Sequence, residues 1–341
     1  MKKILSILLT LIITGGIQVF ASEIEVQPTM FSKSTAQDRV WVGTFQLVWN
    51  DFIDKIVFNP VRFREGTPTL VNELNQKSFT VNDISEDCYY KYAGRVRKNT
   101  KRQIEKAIRK KFKESSDILD KLQLTPRGDM LLVYAMLKKN FEFLHAFDKL
   151  ERSLFSNDDV AEYFGIDKDS NDSLGKGVNV LFYNNEDDFA VKLLTTGKDE
   201  VYLYKNSSNK PFNYIYSDML KKQDAYNGNN LFEKVDELKV PNISFFEEKV
   251  FEELANKRIM GTNLVINQAL ETIQFDMNNK GVKLKSEAAM TIMTTSLNPS
   301  ERPAPRLFYF DDTFVIFLKE KEKTKPYFAL RVCNINKFQK K

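Results

Sequence analysis

The sequence has too few cysteine, histidine and glycine residues for several common classes of protein. Two cysteines and one histidine in 341 residues exclude a disulfide-rich framework and argue against a histidine-ligated metal centre. The 13 glycines and 10 prolines form no repeat, no low-complexity tract and no long linker between domains. The net charge is only +5, so the composition does not indicate a nucleic-acid-binding protein. Apolar residues make up 42% of the chain, which is enough for a sizeable core.

The only long apolar run stands at the N-terminus. Two lysines precede the apolar residues 4–13, and residues 19–21 (Val-Phe-Ala) form a small-residue cleavage site before Ser22. The run is too short to span a bilayer, so residues 1–21 are predicted to be a signal peptide; a retained amphipathic anchor is the alternative. We therefore expect residues 22–341 to form one exported domain without a stable membrane span, located extracellularly or in the periplasm.

Apolar patterns place helices early in the chain and strands late. Helices are predicted at residues 41–58 and 95–113, with Val96, Ile104 and Ile108 on the buried face of the second helix. A further helix is predicted at residues 247–257. Strands are predicted at residues 130–137, 178–182, 189–194, 200–204, 243–246, 314–318 and 326–332. This order is typical of an α+β domain with mainly antiparallel sheets.

Cys88 and His145 are the only residues that could pair as a thiol nucleophile and an imidazole base. Glu86 and Asp87 precede the cysteine and would raise its pKa. His145 lies in an aromatic stretch that is typical of a packed core histidine. The sequence therefore predicts no catalytic residue and no enzyme. A disulfide between Cys88 and Cys333 is left open, because the sequence does not fix their separation.

Two short segments imitate ligand-binding loops without completing them. Residues 167–171 begin like a calcium loop, but Asp172 replaces the required glycine and Val178 replaces the bidentate acid. Residues 174–177 contain glycines and a lysine without the spacing of a phosphate-binding loop. The sequence predicts neither a metal nor a cofactor.

Residues 95–113 carry ten basic residues against a single acid, Glu105. The residues predicted to contact a polyanion are Arg95, Arg97, Lys98, Lys101, Arg102 and Lys106. A sulfated glycan, an anionic surface or a nucleic acid has the required charge, but no aromatic side chains interleave to stack bases, so nucleic acid is not predicted as a partner. The alternative is a solvated helix face without a partner.

A run of slender residues near the C-terminus is followed by a proline-rich stretch. The run contains Ser286, Glu287, Ala288, Ala289 and Met290. The side chains of this run alternate well enough for a strand. The three prolines of residues 299–305 then prevent regular strand pairing. Such a conditional strand resembles the hinge of the serpin family, which is a Gly-Thr-Glu followed by alanines.

Other segments resemble serpin motifs in the same order along the chain. Phe308, Asp311 and Phe314 match a Phe-x-x-Asp-x-x-Phe pattern, and residues 327–332 resemble the closing strand. Upstream, residues 96–104 keep a Val-x-x-x-Thr-x-x-x-Ile signature, residues 131–135 resemble a Leu-Val-Leu-Val-Asn-Ala strand, and residues 240–245 resemble a Leu-Pro-x-Phe segment. The similarity covers about residues 92–335, whereas the family's Ser-Pro-x-Ser motif is absent. The chain therefore resembles a divergent, bacterial-type serpin.

The resemblance implies a monomer with helices packed on mainly antiparallel sheets and an exposed reactive-centre-type loop. Its partner would be a secreted serine or cysteine protease, inhibited by loop cleavage and strand insertion. The implied scissile bond is Pro299-Ser300 if Lys285 replaces the hinge glycine, or Thr295-Ser296 if Gly281 is that glycine. A non-inhibitory binding or envelope protein of the same fold is the alternative.

Overall fold

The computed structural model describes residues 24–122, 124, 130–156, 159–283 and 305–339. Within them lie four α-helices: α1 Thr44–Phe52, α2 Thr69–Leu74, α3 Thr100–Phe112 and α4 Phe212–Ala225. The strands are β1 Glu25–Gln27, β2 Arg39–Val42, β3 Tyr89–Arg95, β4 Leu131–Leu137, β5 Asn140–Glu142, β6 Asp148–Phe155, β7 Asp159–Ile166, β8 Val178–Asn185, β9 Asp188–Leu194, β10 Asp199–Lys205, β11 Glu237–Pro241, β12 Ile243–Val250, β13 Lys257–Arg258, β14 Val265–Ile266, β15 Leu270–Asn278, β16 Gly281–Lys283, β17 Leu307–Tyr309, β18 Phe314–Glu320 and β19 Phe328–Val332.

The largest sheet forms the centre of the hydrophobic core. Its strand order is β1-β2-β19-β18-β10-β9-β8, antiparallel except for the pair β1 and β2. Every residue of β10, β18 and β19 is buried. Short, almost continuous apolar runs are typical of strands that are covered on both faces, which explains why the sequence predicts these strands well.

Two four-stranded sheets and two strand pairs complete the fold. One four-stranded sheet has the order β17-β11-β7-β6 and the other the order β12-β15-β16-β5, and β3 pairs with β4 and β13 with β14. Apart from β1 with β2 and β11 with β17, all these pairs are antiparallel. The predicted α+β class with mainly antiparallel sheets is confirmed.

The basic helix packs on the β3–β4 pair through its predicted buried face, but it begins later than predicted. Residues 89–95 form β3, so α3 begins at Thr100 and not at residue 95. Ile104 and Ile108 are fully buried and Val96 nearly so, in one cluster with Leu132 and other β4 side chains. The amphipathic spacing therefore identifies the buried face correctly while misplacing the first turn.

Two other predicted helices need correction. The helix predicted at residues 41–58 begins at Thr44, because residues 39–42 form β2; a π-helical turn, Ile53–Val57, then extends α1 towards Pro60. The helix predicted at residues 247–257 is wrong. β12 pairs with β15 along its whole length, and this pairing outweighs the local helix propensity of the charged residues in this segment.

The helices of the described residues are all too short or too polar to cross a membrane.

Candidate functional site

A cleft separates β4 from β15. In the described part of the chain, β4 pairs only with β3, and residues 270–275 of β15 pair only with β12. Both strands line a cavity of about 940 Å³. A strand edge without a partner offers a row of backbone donors and acceptors to another strand. The cleft therefore has the hydrogen-bonding edges that an additional strand requires on both sides.

The strand β16 closes one end of this cleft. It lies antiparallel between β15 and β5, with Val282 across from Met277 on one side and Phe141 on the other. A Cβ at Gly281 would stand 2.3 Å from the Phe141 carbonyl oxygen and 2.8 Å from the Glu142 Cα, so only glycine fits there. From Gly281 the chain runs between the two strands in the direction of the cleft.

Apolar side chains from three elements line the cleft. Phe45, Trp49 and Phe52 come from α1, whereas Phe275 comes from β15 and Phe328 from the large sheet. The Phe275 and Phe328 rings stack with centroids 4.6 Å apart. Phe275 and Phe328 belong to the main hydrophobic core, whereas Phe45 and Trp49 belong to a second cluster, so both clusters line the cleft.

Glu271 is a buried acid in the wall of the cleft. Its side chain is on the same face of β15 as Ile273 and Phe275 and is only 3% exposed. Within the described residues no side chain pairs with its carboxylate oxygens. Burial raises the pKa of Glu271 to about 8, opposed only by the backbone amide of Phe45 in the first turn of α1. Burial in the cleft wall therefore favours the protonated form of this carboxyl group.

The segment that follows α3 covers part of the cleft, and we call residues 114–122 the strap. Several strap residues line the cavity. Lys121 forms an ion pair with Glu248 on β12, and its ammonium lies 5.6 Å from the centroid of the Phe246 ring. The strap thus joins the β4 side of the cleft to the β12 side.

A buried ion cluster fixes the chain between β4 and β5. The Lys139 ammonium lies 2.8 Å from Asp199 Oδ1 and also contacts Glu320. Burial alone would lower the pKa of Lys139, but the two carboxylates outweigh it and raise the pKa. Tyr327 donates to Asp199 over 3.0 Å, and Ser85 donates to Glu320 over 2.5 Å. The cluster anchors this side of the cleft to the large sheet.

The residues predicted for the hinge and the cut lie outside the described residues. They are Ser286, Glu287, Ala288, Ala289 and Met290 for the hinge, and Thr295, Ser296, Pro299 and Ser300 for the scissile bond. The predicted signal peptide, residues 1–21, also lies outside them. The described chain stops in β16 at residue 283 and resumes at residue 305, just before β17 joins a different sheet beside β11.

Cys88 and His145 do not form a catalytic pair. The Cys88 sulfur contacts carboxylates of Asp87 and Glu320. Its pKa is raised, chiefly by burial and further by Asp87, which is the direction that the sequence predicts. His145 is exposed, so its prediction as a packed core histidine is wrong; it follows β5 in a surface turn. A buried thiol with a raised pKa is a poor nucleophile.

Cys88 and Cys333 are both free thiols. Cys88 lies beside Glu320 at one end of β18. Cys333 follows Val332, which pairs with Phe314 at the other end of that strand. The strand is roughly 20 Å long at about 3.4 Å per residue, whereas a disulfide requires Cα atoms less than about 7 Å apart. Cys88 and Cys333 are therefore too far apart to form a disulfide.

The two segments that imitate ligand loops have structural roles. Asp167 accepts hydrogen bonds from Ser170 and from the Asp169 amide in a tight turn, and residues 172–177 form a 3₁₀ helix. Across the described residues, no group of three potential metal-ligating side chains comes together.

The predicted polyanion-binding residues lie at the end of β3, in the turn that follows it and on α3. Arg95 ends β3, Arg97 and Lys98 lie in the turn before α3, and Lys101, Arg102 and Lys106 are on the helix (all within residues 89–112). Arg97, Lys98, Arg102 and Lys106 are exposed. Lys101 is paired with Asp120 of the strap.

Comparisons with known proteins find similar structures only. No protein-family model matches the chain, and no curated protein does. Similar solved structures include Serpin48, a highly specific serpin of the insect Tenebrio molitor, at a TM-score of 0.48 and 15% identity, covering 89% of this chain and 94% of that one. Thyroxine-binding globulin in complex with thyroxine has a TM-score of 0.45 at 12% identity, with 87% and 93% covered. A thyroxine-bound structure of the human protein has a TM-score of 0.42 at 10% identity, with 84% and 95% covered.

Proposed function

We propose that this chain is an exported protease inhibitor that acts by cleavage of its own loop and insertion of the cut segment as a strand. One observation carries the proposal: β16 lies between β15 and β5, and the cleft continues in its direction between two edges that have no partner in the described residues. The chain between β16 and β17 is the segment that would enter.

The register of β16 supports insertion of the predicted hinge. Lys283 lies across from Asp276 and Asn140, so a continued antiparallel strand would bring Ala288 across from Glu271 and Ala135. Even-numbered residues would then face the same side as Val282, which is fully buried. Ser286 and Ala288 would be on this inward side, where slender side chains enter a packed sheet at the lowest steric cost.

The protease supplies the bond-breaking chemistry. Its serine hydroxyl or cysteine thiol attacks the carbonyl carbon of the scissile residue, the peptide C–N bond breaks, and the new amine leaves with a proton. The N-terminal part of the loop is then an ester or thioester on the protease. Its insertion into the cleft would carry the attached protease away before water completes hydrolysis. The candidate bonds remain Pro299-Ser300 and Thr295-Ser296.

Strand insertion would release free energy because the cleft edges gain hydrogen-bond partners. Each ladder hydrogen bond contributes about 1 kcal/mol net, and the inward side chains bury apolar surface against the core. The intact chain holds this energy back because an uncut loop is tied to β16 at one end and to β17 at the other. Cleavage would remove that restraint.

The decisive experiment cuts the loop and looks for two consequences. A panel of secreted serine and cysteine proteases is mixed with the protein, and covalent complexes are sought on denaturing gels. The cut protein should also unfold at a much higher temperature than the intact protein. If the loop is cut but no protease forms a complex and the melting temperature does not rise, the inhibitor proposal fails.

Two proline variants make the test specific. Ala288→Pro removes a backbone donor from the strand that would insert, so loop cleavage should persist while complex formation disappears. Glu301→Pro lies beyond both candidate bonds and should leave complex formation intact. If the two variants formed the covalent complex to the same extent, insertion of the segment N-terminal to the cut would be contradicted.

The second candidate function is that of a non-inhibitory binding or envelope protein. The observation that favours it is the cleft itself, because a volume of about 940 Å³ and a largely apolar lining are typical of small-molecule sites. In that case the cleft would stay open after loop cleavage, and the melting temperatures of cut and intact protein would agree.

Export is part of the proposal. The apolar run and the small residues before Ser22 support removal of residues 1–21. N-terminal sequencing of protein recovered outside the cytoplasm should begin at or near Ser22.

A further inference from the structure

We propose that the cleft binds a lipophilic primary amine, with the ammonium group of the ligand on the carboxylate of Glu271. The proposal rests on the second candidate function, that of a binding protein, and names the class of its ligand. Glu271 carries the argument. Its side chain lines the cavity, is only 3% exposed, and has no partner for either carboxylate oxygen among the described residues.

A buried carboxyl group without a partner is costly in either charge state. When it is ionised it lacks a counter-ion, and when it is protonated its hydroxyl lacks an acceptor. An ammonium group that enters from the cavity supplies a positive charge and three N–H donors. The resulting hydrogen bond is charge-assisted and lies in surroundings of low dielectric, where such bonds are strong. A neutral hydroxyl would supply the hydrogen bond without the charge.

Aromatic side chains surround the position that the ammonium group would take. The backbone amide of Phe45 is the group that opposes the raised pKa of Glu271, so the carboxyl group faces the first turn of α1. Phe45, Trp49 and Phe52 follow one another at intervals of four and three residues on one side of α1, and all three line the cavity. Aromatic faces attract an ammonium group, and the remaining apolar surface accommodates the body of the ligand.

The other charges of the cavity wall also favour a cation over an anion. Besides Glu271, the charged residues that line the cavity are Arg95, Glu114, Asp117 and Lys138. Lys138 is paired with Glu114 over 2.9 Å, and Asp117 of the strap is exposed. Acids therefore outnumber bases among the described lining residues. A carboxylate ligand such as a fatty acid would be repelled by Glu271 and would have to desolvate its own charge.

The test measures the binding of octylamine to the intact mature protein by isothermal titration calorimetry near neutral pH. Octanol and octanoate are the matched probes, because they keep the apolar chain and replace the ammonium group by a hydroxyl or a carboxylate. The wild type should bind octylamine about tenfold more tightly than octanol, since a charge-assisted hydrogen bond is about twice as strong as a neutral one. Octanoate should bind most weakly of the three.

The variant Glu271→Gln keeps the size of the side chain and removes its charge. Its affinity for octylamine should fall about tenfold, while its affinity for octanol should change by less than about threefold. Glu253→Gln is the control, because Glu253 is exposed and does not line the cavity, and it should bind octylamine as the wild type does.

Proton release gives a second readout that a merely structural role of Glu271 would not change. Because burial favours the protonated form of Glu271, its pairing with an ammonium group should expel a proton. Titrations in buffers of different ionisation enthalpy should therefore show more proton release from the wild type than from Glu271→Gln. Equal proton release from the two proteins would overturn the contact.

Two further outcomes would overturn the proposal. One is equal affinity of the wild type for octylamine and octanol. The other is a loss of octylamine affinity in Asp117→Asn as large as that in Glu271→Gln, which would show that the cation has no specific place on Glu271. The melting temperature of the cut protein tests the second candidate function separately, so failure of the amine site and failure of that function are distinguishable.

Discussion

The large sheet and the strands around the cleft differ in how their edges are used. In the large sheet, β10 and β18 are paired with each other along their whole length, and each has a second partner, β9 or β19, along most of its length. Beside the cleft, β4 and most of β15 are paired on one side only in the described residues. The interior of the large sheet therefore has little room for further ladder hydrogen bonds, whereas the cleft has an unfilled place for a strand.

If the proposed function holds, stability and conformational energy are held in separate parts of one domain. The large sheet and its buried side chains supply the cooperative core. The cleft touches that core at the Phe275–Phe328 stack, whereas its α1 side chains Phe45 and Trp49 pack in a separate hydrophobic cluster. The predictions below test whether the two regions respond separately.

The largest effect is expected from the ion cluster that joins the two regions. Lys139→Met would leave Asp199 and Glu320 buried without their cation, and their side chains are only 7% and 3% exposed. Loss of one partner from a buried pair destabilises a protein by about 3–5 kcal/mol. Urea unfolding should show this loss.

The control for this change is Lys198→Met. Lys198 pairs with Asp87, which is largely exposed, so its loss should cost less than about 1 kcal/mol. Similar losses in both variants would mean that the buried cluster does not anchor β4 and β5.

Much of the fold could be predicted from local patterns, but the cleft could not. The apolar strands β8, β9, β10, β18 and β19 of the large sheet are predicted to within a few residues, whereas β1 was not predicted and β2 overlaps the helix predicted at residues 41–58. The cleft depends on β4 and β15, which are far apart in the chain and whose facing edges stay unpaired; no local pattern encodes such a separation. The conditional strand predicted at residues 286–295 lies outside the described residues and stays a prediction.

Several strands and two helices were not predicted, and for two of these elements, β15 and α4, the signals were present in the sequence. Ile273, Phe275 and Met277 alternate as an amphipathic strand does, and the same alternation puts Glu271 on the buried face. In α4, Phe212, Ile215 and Met219 are the buried residues and recur at helical spacing. The position of Glu271, two residues before Ile273 in this alternation, was therefore the sequence signal for a buried acid.

The second-largest effect on stability is expected at Glu271, and it depends on pH. The pKa of Glu271 is about 8 in the folded protein, against an ordinary value of 4.5. Because the folded state holds this proton more tightly, Glu271 costs no stability below pH 4.5, and its cost grows as the pH rises towards 8. Glu271→Gln should therefore be more stable than the wild type by about 2–4 kcal/mol at pH 9 and similar to it at pH 4.

Urea midpoints at several pH values measure the effect of Glu271→Gln. Glu253→Gln is the control, because Glu253 is exposed and should show no such pH-dependent gain. A stability difference for Glu271→Gln that does not change with pH would contradict an ionisable, buried carboxyl group in the cleft.

A smaller effect is expected at the entrance of β16. Gly281→Ala would put a methyl group 2.3 Å from the Phe141 carbonyl oxygen, so β16 must move away from β5. Such crowding costs about 1–3 kcal/mol, and hydrogen exchange at Val282 should accelerate while exchange in β18 does not. Gly197→Ala is the matched control, since nothing lies within 4 Å of its added Cβ. Equal exchange in both variants would show that β16 is not wedged between its neighbours.

The smallest effect on stability, and the sharpest test of separate regions, comes from the strap. Lys121→Gln breaks the ion pair with Glu248. The Lys121 and Glu248 side chains are 40% and 35% exposed, so the free energy of global unfolding should change by less than about 1 kcal/mol. The strap would nevertheless open more often, because this pair joins it to β12. Backbone amides of β4 and β15 should then exchange faster by local opening, while those of β10 keep their rate. Lys234→Gln, which breaks an exposed pair with Asp172 away from the cleft, should change neither set. If Lys121→Gln accelerates exchange in β10 as much as in β4, the strap and the core unfold together and the two regions are not energetically separate.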